Sequence, residues 1–199
     1  AIRDAVRDYA QERLRPRSAG FEAAGGYPEG LFEELAGLGL LGMTAPAEFG
    51  GADADYVSYA LALIEIAAGD GALSTIVSVQ NSLVIAGVLR EGTATQKARF
   101  LPALIAGRLI GAFALTESEA GSDASAIRTC ATRVDGGWRL NGSKQFITSG
   151  RTAGLTQVFA VTNPAAGKKG ISAFLVPTGR PGYRVDKVEQ KLGQHASDT

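Results

Sequence analysis

Two runs hold the residue types best suited to chemistry in this chain. One is Phe113-Ala114-Leu115-Thr116-Glu117-Ser118-Glu119-Ala120-Gly121-Ser122-Asp123, and the other, about thirty positions on, is Gln145-Phe146-Ile147-Thr148-Ser149-Gly150. Each reads as a short apolar strand running into a loop of hydroxyls, glycines and backbone donors. Two such strand ends can hold a planar heterocycle that hydrogen-bonds along one edge and carries a phosphate tail. Thr116 and the backbone near Leu115 suit the edge, Thr148 can donate to a ring nitrogen, and Phe146 can form an apolar wall. Gly121 and Ser122 allow close approach of backbone and hydroxyl to a pyrophosphate without a cationic side chain.

These are the needs of an isoalloxazine, with acceptors and one N–H on its pyrimidine edge and an acceptor at N5, so the runs point to a flavin. A second reading stands beside it on residue types alone: Thr-Glu and Gly-Ser-Asp are ordinary turn chemistry, with Asp123 capping its own loop. A third glycine-rich run, Gly37-Leu38-Gly39-Leu40-Leu41-Gly42, matches G-x-G-x-x-G literally. A dinucleotide fingerprint must follow a strand and open a helix. Here a helical pattern precedes it and Met43-Thr44-Ala45-Pro46 follows, so it reads as a helix terminus and loop.

Scarce residues exclude other chemistries. With one cysteine and one histidine in 199 residues, the chain can build neither an internal disulfide nor a multi-histidine metal site. His195 lies in a polar loop, a poor place for a Ser/His/Asp triad, and Cys130 reads as a packed strand residue. Twenty basic residues balance twenty acidic ones, with no basic stripe, which argues against nucleic-acid binding. The C-terminal lysines and arginines, Lys168 and Lys169 among them, are scattered among turns. Leu73 to Leu89 is apolar but carries Gln80 and Asn81 at its centre, so it reads as a buried helix and not a membrane span. No signal peptide is visible. The chain starts at Ala1 and stops at Thr199 without punctuation, and is expected to be part of a longer protein.

The elements that must position the two runs change character near Gly107. Before it the spacing is helical. Ile2, Val6 and Tyr9 share a face, and Pro16 marks a break or the first turn of a following helix. Pro28 opens a helix with Leu31, Leu35 and Leu38 together. Asp55 caps one with a stripe of Leu61, Ile64 and Ala68. Thr93 and Gln96 form a capping box for a last helix. After Gly107, short strands are expected at Ile110–Leu115, Ile127–Val134, Trp138–Leu140, Gln145–Thr148, Leu155–Thr162, Ile171–Val176 and Tyr183–Val188. The class is α+β, an N-terminal all-α helical domain (1–109) followed by an antiparallel β-barrel or sandwich domain (110–199).

The Leu115-Thr116-Glu117-x-x-Ala120-Gly121-Ser122-Asp123 segment resembles the signature of the acyl-CoA dehydrogenases, and Lys144-Gln145-Phe146-Ile147-Thr148-Ser149-Gly150 resembles the family's second flavin-contacting strand. The similarity runs through Gly39-Leu40-Leu41-Gly42, Pro46-Ala47-Glu48-Phe49-Gly50-Gly51, Asn81-Ser82-Leu83 and Lys191-Leu192-Gly193-Gln194. It implies an N-terminal α domain and a middle β domain, with the family's C-terminal four-helix domain absent. By the same resemblance FAD is the cofactor, contacted by Phe113, Leu115, Thr116, Gly121, Ser122, Phe146, Ile147 and Thr148. Many family members carry tryptophan where this chain has Phe146, so the wall survives without an indole N–H. Acyl-CoA would meet Ser122, the helix residues Asn81, Ser82, Val84, Ile85 and Val88, and Lys168 at the CoA phosphates.

The implied reaction is α,β-dehydrogenation of an acyl-CoA thioester to the trans-2-enoyl-CoA, as in the breakdown of fatty acids or branched-chain amino acids. A carboxylate removes the α-proton as the β-hydrogen leaves as hydride to N5. The base is expected beyond Thr199, so no catalytic residue is assigned within the chain, and residues 1–199 alone are expected to be inactive. Glu117 reads as a salt-bridged, loop-ordering residue. The resemblance further implies an electron-transfer flavoprotein partner, a homotetramer at full length and a cytoplasmic bacterial setting, in the manner of short-chain and branched-chain members. Rival readings are an acyl-CoA oxidase-type or nitroalkane-oxidising relative, a non-catalytic acyl-CoA-binding module, and a carbohydrate-binding β-sandwich with a helical adaptor.

Overall fold

The computed structural model describes residues 1–199, a helical layer followed by a five-stranded sheet. One long helical run holds α1 (Ile2–Tyr9), a π-helical stretch (Ala10–Leu14) and α2 (Arg15–Ala24). Pro16 does not break it. Pro16 stands in the first turn of α2, directly after the wider π turn, where its missing N–H costs least. Next come α3 (Leu31–Gly37) and α4 (Tyr56–Gly69). A second long run, Gly71–Glu91, contains α5 (Gly71–Ser78), a π-helical stretch (Val79–Ile85) and α6 (Ala86–Glu91). The last helix is α7 (Ala94–Ile105), opened by the Thr93 and Gln96 capping box.

Two expected faces are turned. Leu31 and Leu35 of α3 are buried, but Leu38 lies just past the helix end and is 53% exposed. Asp55 caps α4 by accepting Ser58 N–H at 2.8 Å. The buried side of that helix, however, is Tyr59, Ala62, Glu65, Ile66 and Gly69, while Ile64 and Ala68 face outward. The helix is apolar all round, so hydrophobicity does not select its face. An ion pair does: Glu65 accepts from Arg3 Nε at 2.8 Å and from Arg7 Nε and Nη2 at 3.1 and 2.8 Å.

The Gly71–Glu91 helix is long and apolar enough by length and composition to cross a bilayer, yet half of its apolar window is buried inside the protein. Its π stretch turns two consecutive amides inward. Gln80 Nε2 donates to Leu104 O and Leu109 O, both at 2.9 Å, and Gln80 Oε1 accepts Gly111 N–H at 2.8 Å. Asn81 Nδ2 donates to Leu40 O and Val77 O at 2.9 Å, and its Oδ1 accepts Met43 N–H at 2.8 Å. Gln80 thus ties helix, α7 terminus and first strand at one point. At Gly111 the contact is so close that a Cβ would stand 2.4 Å from Val84 Cγ1.

The strands are β1 (Gly111–Ala114), β2 (Cys130–Val134), β3 (Gly137–Asn141), β4 (Leu155–Val161) and β5 (Ile171–Pro177). They form a mixed sheet, where an antiparallel barrel or sandwich was expected. β5 runs antiparallel along all of β4, β1 pairs parallel with the first half of β4, and β2 meets its end in parallel at Cys130 and Val161. The parallel pairs are possible because β1 and β4, and β2 and β4, are joined by long connections and not by tight turns. Only β2 and β3 form the expected tight hairpin. Cys130 is exposed on β2, while Ala131 takes the buried side. Gln145–Thr148 and Tyr183–Val188 are not strands.

Replacing Asn81 by alanine removes the side-chain partner of the buried Met43 N–H and of the Leu40 and Val77 carbonyls. Asn81→Ala is expected to cost about 3 kcal/mol of unfolding free energy in denaturant titration; a loss below about 0.5 kcal/mol would contradict the pegging role.

Candidate functional site

β1 delivers the chain to Ala114, and the residues beyond turn back on themselves. Glu117 N–H donates to Ala120 O and Ala120 N–H to Glu117 O, both at 3.1 Å. Asp123 accepts Ser125 N–H at 3.0 Å, capping the short turn Ala124–Ala126. Gly121 and Ser122 lie exposed between these turns, and a Cβ on Gly121 would meet nothing within 4 Å. No neighbour in the chain itself demands a glycine there.

The second run crosses the sheet. It leaves Asn141 at the end of β3, meets the β1 loop where Gln145 N–H donates to Thr116 O at 2.9 Å, and returns to the start of β1 where Gly154 N–H donates to Ile110 O at 2.9 Å. It is a loop because Phe146 and Ser149 have φ of +58° and +59°, which breaks any extended run. An aromatic residue in this region is strained, and Phe146 is also 60% exposed. The next turn is tied down by Gly150 N–H to Ile147 O at 3.0 Å and Ser149 N–H to Asp198 O at 2.8 Å.

Glu117 and Lys144 join the two runs. Lys144 Nζ donates to Glu117 Oε1 at 2.7 Å and to Leu115 O at 3.0 Å, and the two side chains are 9% and 11% exposed. Glu117 also accepts Arg128 N–H at 2.6 Å and Thr129 N–H at 3.0 Å. Burial, the largest single influence, pushes its carboxyl up, but the hydrogen bonds from Lys144, Thr129 and Arg128 together outweigh it and hold it at about 2. Burial likewise lowers Lys144, against the pull of Glu117. A carboxylate so acidic and so fully engaged is a poor proton acceptor near neutrality.

With the scaffold fixed, the groups left over are informative. The backbone N–H groups of Thr116, Phe146, Ile147 and Thr148, and the hydroxyls of Thr116, Ser122 and Thr148, hydrogen-bond to nothing within the chain. Three hydroxyls and four backbone donors are thus free on the two joined runs, one of which also carries the exposed Phe146 ring.

Comparison with known proteins places this arrangement. Residues 1–108 match the family model for the acyl-CoA dehydrogenase N-terminal domain, and residues 112–199 match that for the acyl-CoA dehydrogenase middle domain. The chain belongs to the acyl-CoA dehydrogenase family. It is 42% identical over 198 residues to an acyl-CoA dehydrogenase of Bacillus subtilis, covering 100% of this chain and 52% of the relative. It is 42% identical over 193 residues to the human mitochondrial short-chain specific acyl-CoA dehydrogenase, covering 97% of this chain and 47% of the relative. The crystal structure of a glutaryl-CoA dehydrogenase from Mycobacterium smegmatis in complex with FADH2 superposes with a TM-score of 0.91 at 40% identity, over 99% of this chain and 50% of that one. The chain spans about half the length of the curated relatives it matches.

For an acyl-CoA dehydrogenase, the structure sorts the expected site residues into three groups. Leu115, Thr116, Gly121, Ser122, Phe146, Ile147 and Thr148 lie on the two joined runs. Phe113 is on β1, where its ring packs against Phe159 at 4.8 Å between centroids. The helix residues need correction. Asn81 is 2% exposed with its amide fully engaged, and Ile85, with Val84 and Val88, is in the core. Asn81, Val84 and Ile85 are turned inward by the π stretch and Val88 follows on α6, so these side chains are taken up by the protein's own core. Ser82 alone of this group is exposed, its hydroxyl donating to Ser78 O at 2.7 Å. Lys168 sits exposed in the turn between β4 and β5, with no hydrogen bond or ion pair to either run.

Two contributors escape sequence reading. Lys144 carries no signal beyond its place before Gln145. Asp198 stands 46 positions from Thr152, whose N–H and hydroxyl it accepts, and nothing local marks it as a cap.

Because Glu117 is held at about 2, below its ordinary 4.5, its contribution to stability is present above about pH 4.5 and lost as pH falls towards 2. Glu117→Gln is therefore expected to lower the unfolding midpoint at neutral pH, with the gap to wild type closing as pH falls through that window. A gap that does not change with pH would contradict the assignment.

Proposed function

We propose that this chain is the flavin- and acyl-CoA-holding part of an FAD-dependent acyl-CoA dehydrogenase, which converts an acyl-CoA thioester to the trans-2-enoyl-CoA. The observation that carries the proposal is the junction of the two runs. The Glu117–Lys144 pair and the Gln145–Thr116 bond fix the scaffold and leave the Thr116 and Thr148 groups and the exposed Phe146 ring uncommitted. That donor set fits FAD: a row of N–H and O–H groups suits an edge of acceptors, and a strained, solvent-facing aromatic suits a ring to pack on. The glutaryl-CoA dehydrogenase with FADH2 supports the same assignment.

Bound FAD supplies the hydride acceptor. The chain's own groups bind and orient it. Thr116, with the backbone beside Phe113 and Leu115, borders the pyrimidine edge, Thr148 hydrogen-bonds N5, and Phe146 and Ile147 wall one face. Gly121 and Ser122 approach the pyrophosphate, with Ser122 also meeting the acyl-CoA beside Ser82, and Lys168 reaching towards the CoA phosphates. Residues 1–109 form the helical part and 110–199 the sheet part of this arrangement. No carboxylate within residues 1–199 serves as base: Glu117, at the junction of the two runs, is consumed by its ion pair. The base belongs to the part of the protein that corresponds to the unmatched half of the relatives, and these residues by themselves are inactive.

The similarity to the short-chain specific enzyme supports a short acyl chain as substrate. An electron-transfer flavoprotein as acceptor, a homotetrameric assembly and a cytoplasmic setting complete the proposal. Anaerobic addition of butyryl-CoA to the full-length protein is expected to bleach its visible flavin absorbance, with fast reoxidation by an electron-transfer flavoprotein and slow reoxidation in air. Flavin-free protein, or a flavin indifferent to acyl-CoA, would overturn the proposal, and rapid reoxidation by oxygen would move it to the oxidase-type relatives. Thr148→Ala in the full-length protein is expected to lower kcat about tenfold, the worth of one hydrogen bond stronger in the transition state; unchanged kcat would remove Thr148 from N5.

A further inference from the structure

Asp198 is 4% exposed and every hydrogen bond it makes goes to one turn. Its Oδ2 accepts Arg151 N–H at 2.7 Å and Thr152 N–H at 3.2 Å, its Oδ1 accepts the Thr152 hydroxyl at 2.8 Å, and its backbone carbonyl accepts Ser149 N–H at 2.8 Å. These four bonds fall on Ser149 to Thr152, the residues directly after Phe146-Ile147-Thr148. Ser149 carries a left-handed φ of +59°, a conformation that persists only when its surroundings over-determine it.

The segment that carries Asp198 is itself pinned to the helical layer. Ala196 N–H donates to Glu22 Oε2 at 2.8 Å, Thr75 Oγ1 donates to Gln194 Oε1 at 3.0 Å, and the Ala196 side chain packs with Phe21 and Ala72. Residues 194–198 therefore run as a strap from α2 and α5 to the loop that bears Thr148.

We propose that Asp198 is a positioning residue for the flavin: through four hydrogen bonds to Ser149–Thr152 it fixes the placement of Thr148 and Phe146 relative to the helical layer. The role rests on the flavin assignment above. Asp198 touches no reacting atom. It acts by removing the freedom of the turn behind Thr148, so that one hydroxyl stays aimed at one ring nitrogen. A misplacement of about 1 Å at such a group is enough to slow chemistry by up to about a hundredfold.

Asparagine and alanine separate geometry from mere occupancy. In Asp198→Asn the amide oxygen can take both N–H groups and the NH2 can donate to the Thr152 hydroxyl, so the turn keeps its ties. Asp198→Ala removes three of the four. In the full-length protein, Asp198→Ala is expected to speed amide exchange across 149–152 about tenfold or more, alter the visible flavin spectrum, and lower kcat for butyryl-CoA about tenfold while KM stays within about twofold. Asp198→Asn is expected to restore all three to within about threefold of wild type.

Flavin-bearing Asp198→Ala protein that exchanges, absorbs and turns over like wild type would overturn the positioning role alone. So would Asp198→Asn protein that folds but is as impaired as the alanine variant. Wild-type full-length protein without flavin would overturn the flavin assignment and the positioning role together.

Discussion

The site is organised around a nearly buried ion pair between residues 27 positions apart, Glu117 on the loop after β1 and Lys144 on the segment after β3. Taking both charges out of water costs several kcal/mol per ion, and such a pair is sustained only when the remaining hydrogen-bonding capacity is filled. Here it is. Glu117 collects two backbone N–H groups as well as the ammonium, and Lys144 adds the Leu115 carbonyl. The pair brings together two loops that no strand ladder joins. With the polar needs of the scaffold met internally, the hydroxyls and amides of Thr116 and Thr148 are left without partners in the chain.

A second constraint sets where those loops stand. The consecutive amides Gln80 and Asn81 point inward from a π-helical stretch and bond to backbone groups of α7, of the connection into β1, and of the Leu40–Met43 loop. An α-helical turn would splay neighbouring side chains by about 100°; the wider turn accommodates both on the buried side. The origin of β1 is thereby fixed against the helical layer, and with it the loop that carries Thr116 to Ser122.

Much of this was legible in the sequence, for reasons that differ by residue. Asp55 and Thr93 announced helix starts because capping is local chemistry. The change from helical spacing to short punctuated runs near Gly107 marked the passage from helix to sheet, and Gln80 and Asn81 marked their helix as internal. Less was legible where one pattern fits two structures. The face of α4 is chosen by Glu65 meeting Arg3 and Arg7, a long-range pairing that an all-apolar helix cannot reveal. Asn81 and Ile85 looked available to substrate because helical spacing does not register a π turn. Gln145–Thr148 looked like a strand because β-favouring residues do not disclose a positive φ at Phe146. Parallel pairing of β1 and β4 is likewise set by the excursion between them and not by either strand.

We propose that the ion-paired junction leaves Thr116, Phe146 and Thr148 arranged to hold a flavin. A crystal structure of the full-length protein with FAD tests it most directly. The isoalloxazine is expected to pack on Phe146, with its pyrimidine edge within hydrogen-bonding distance of Thr116, its N5 within reach of Thr148, and the Glu117–Lys144 bond intact beneath. A flavin bound away from these residues, or one that breaks the Glu117–Lys144 pair to bind, would contradict it.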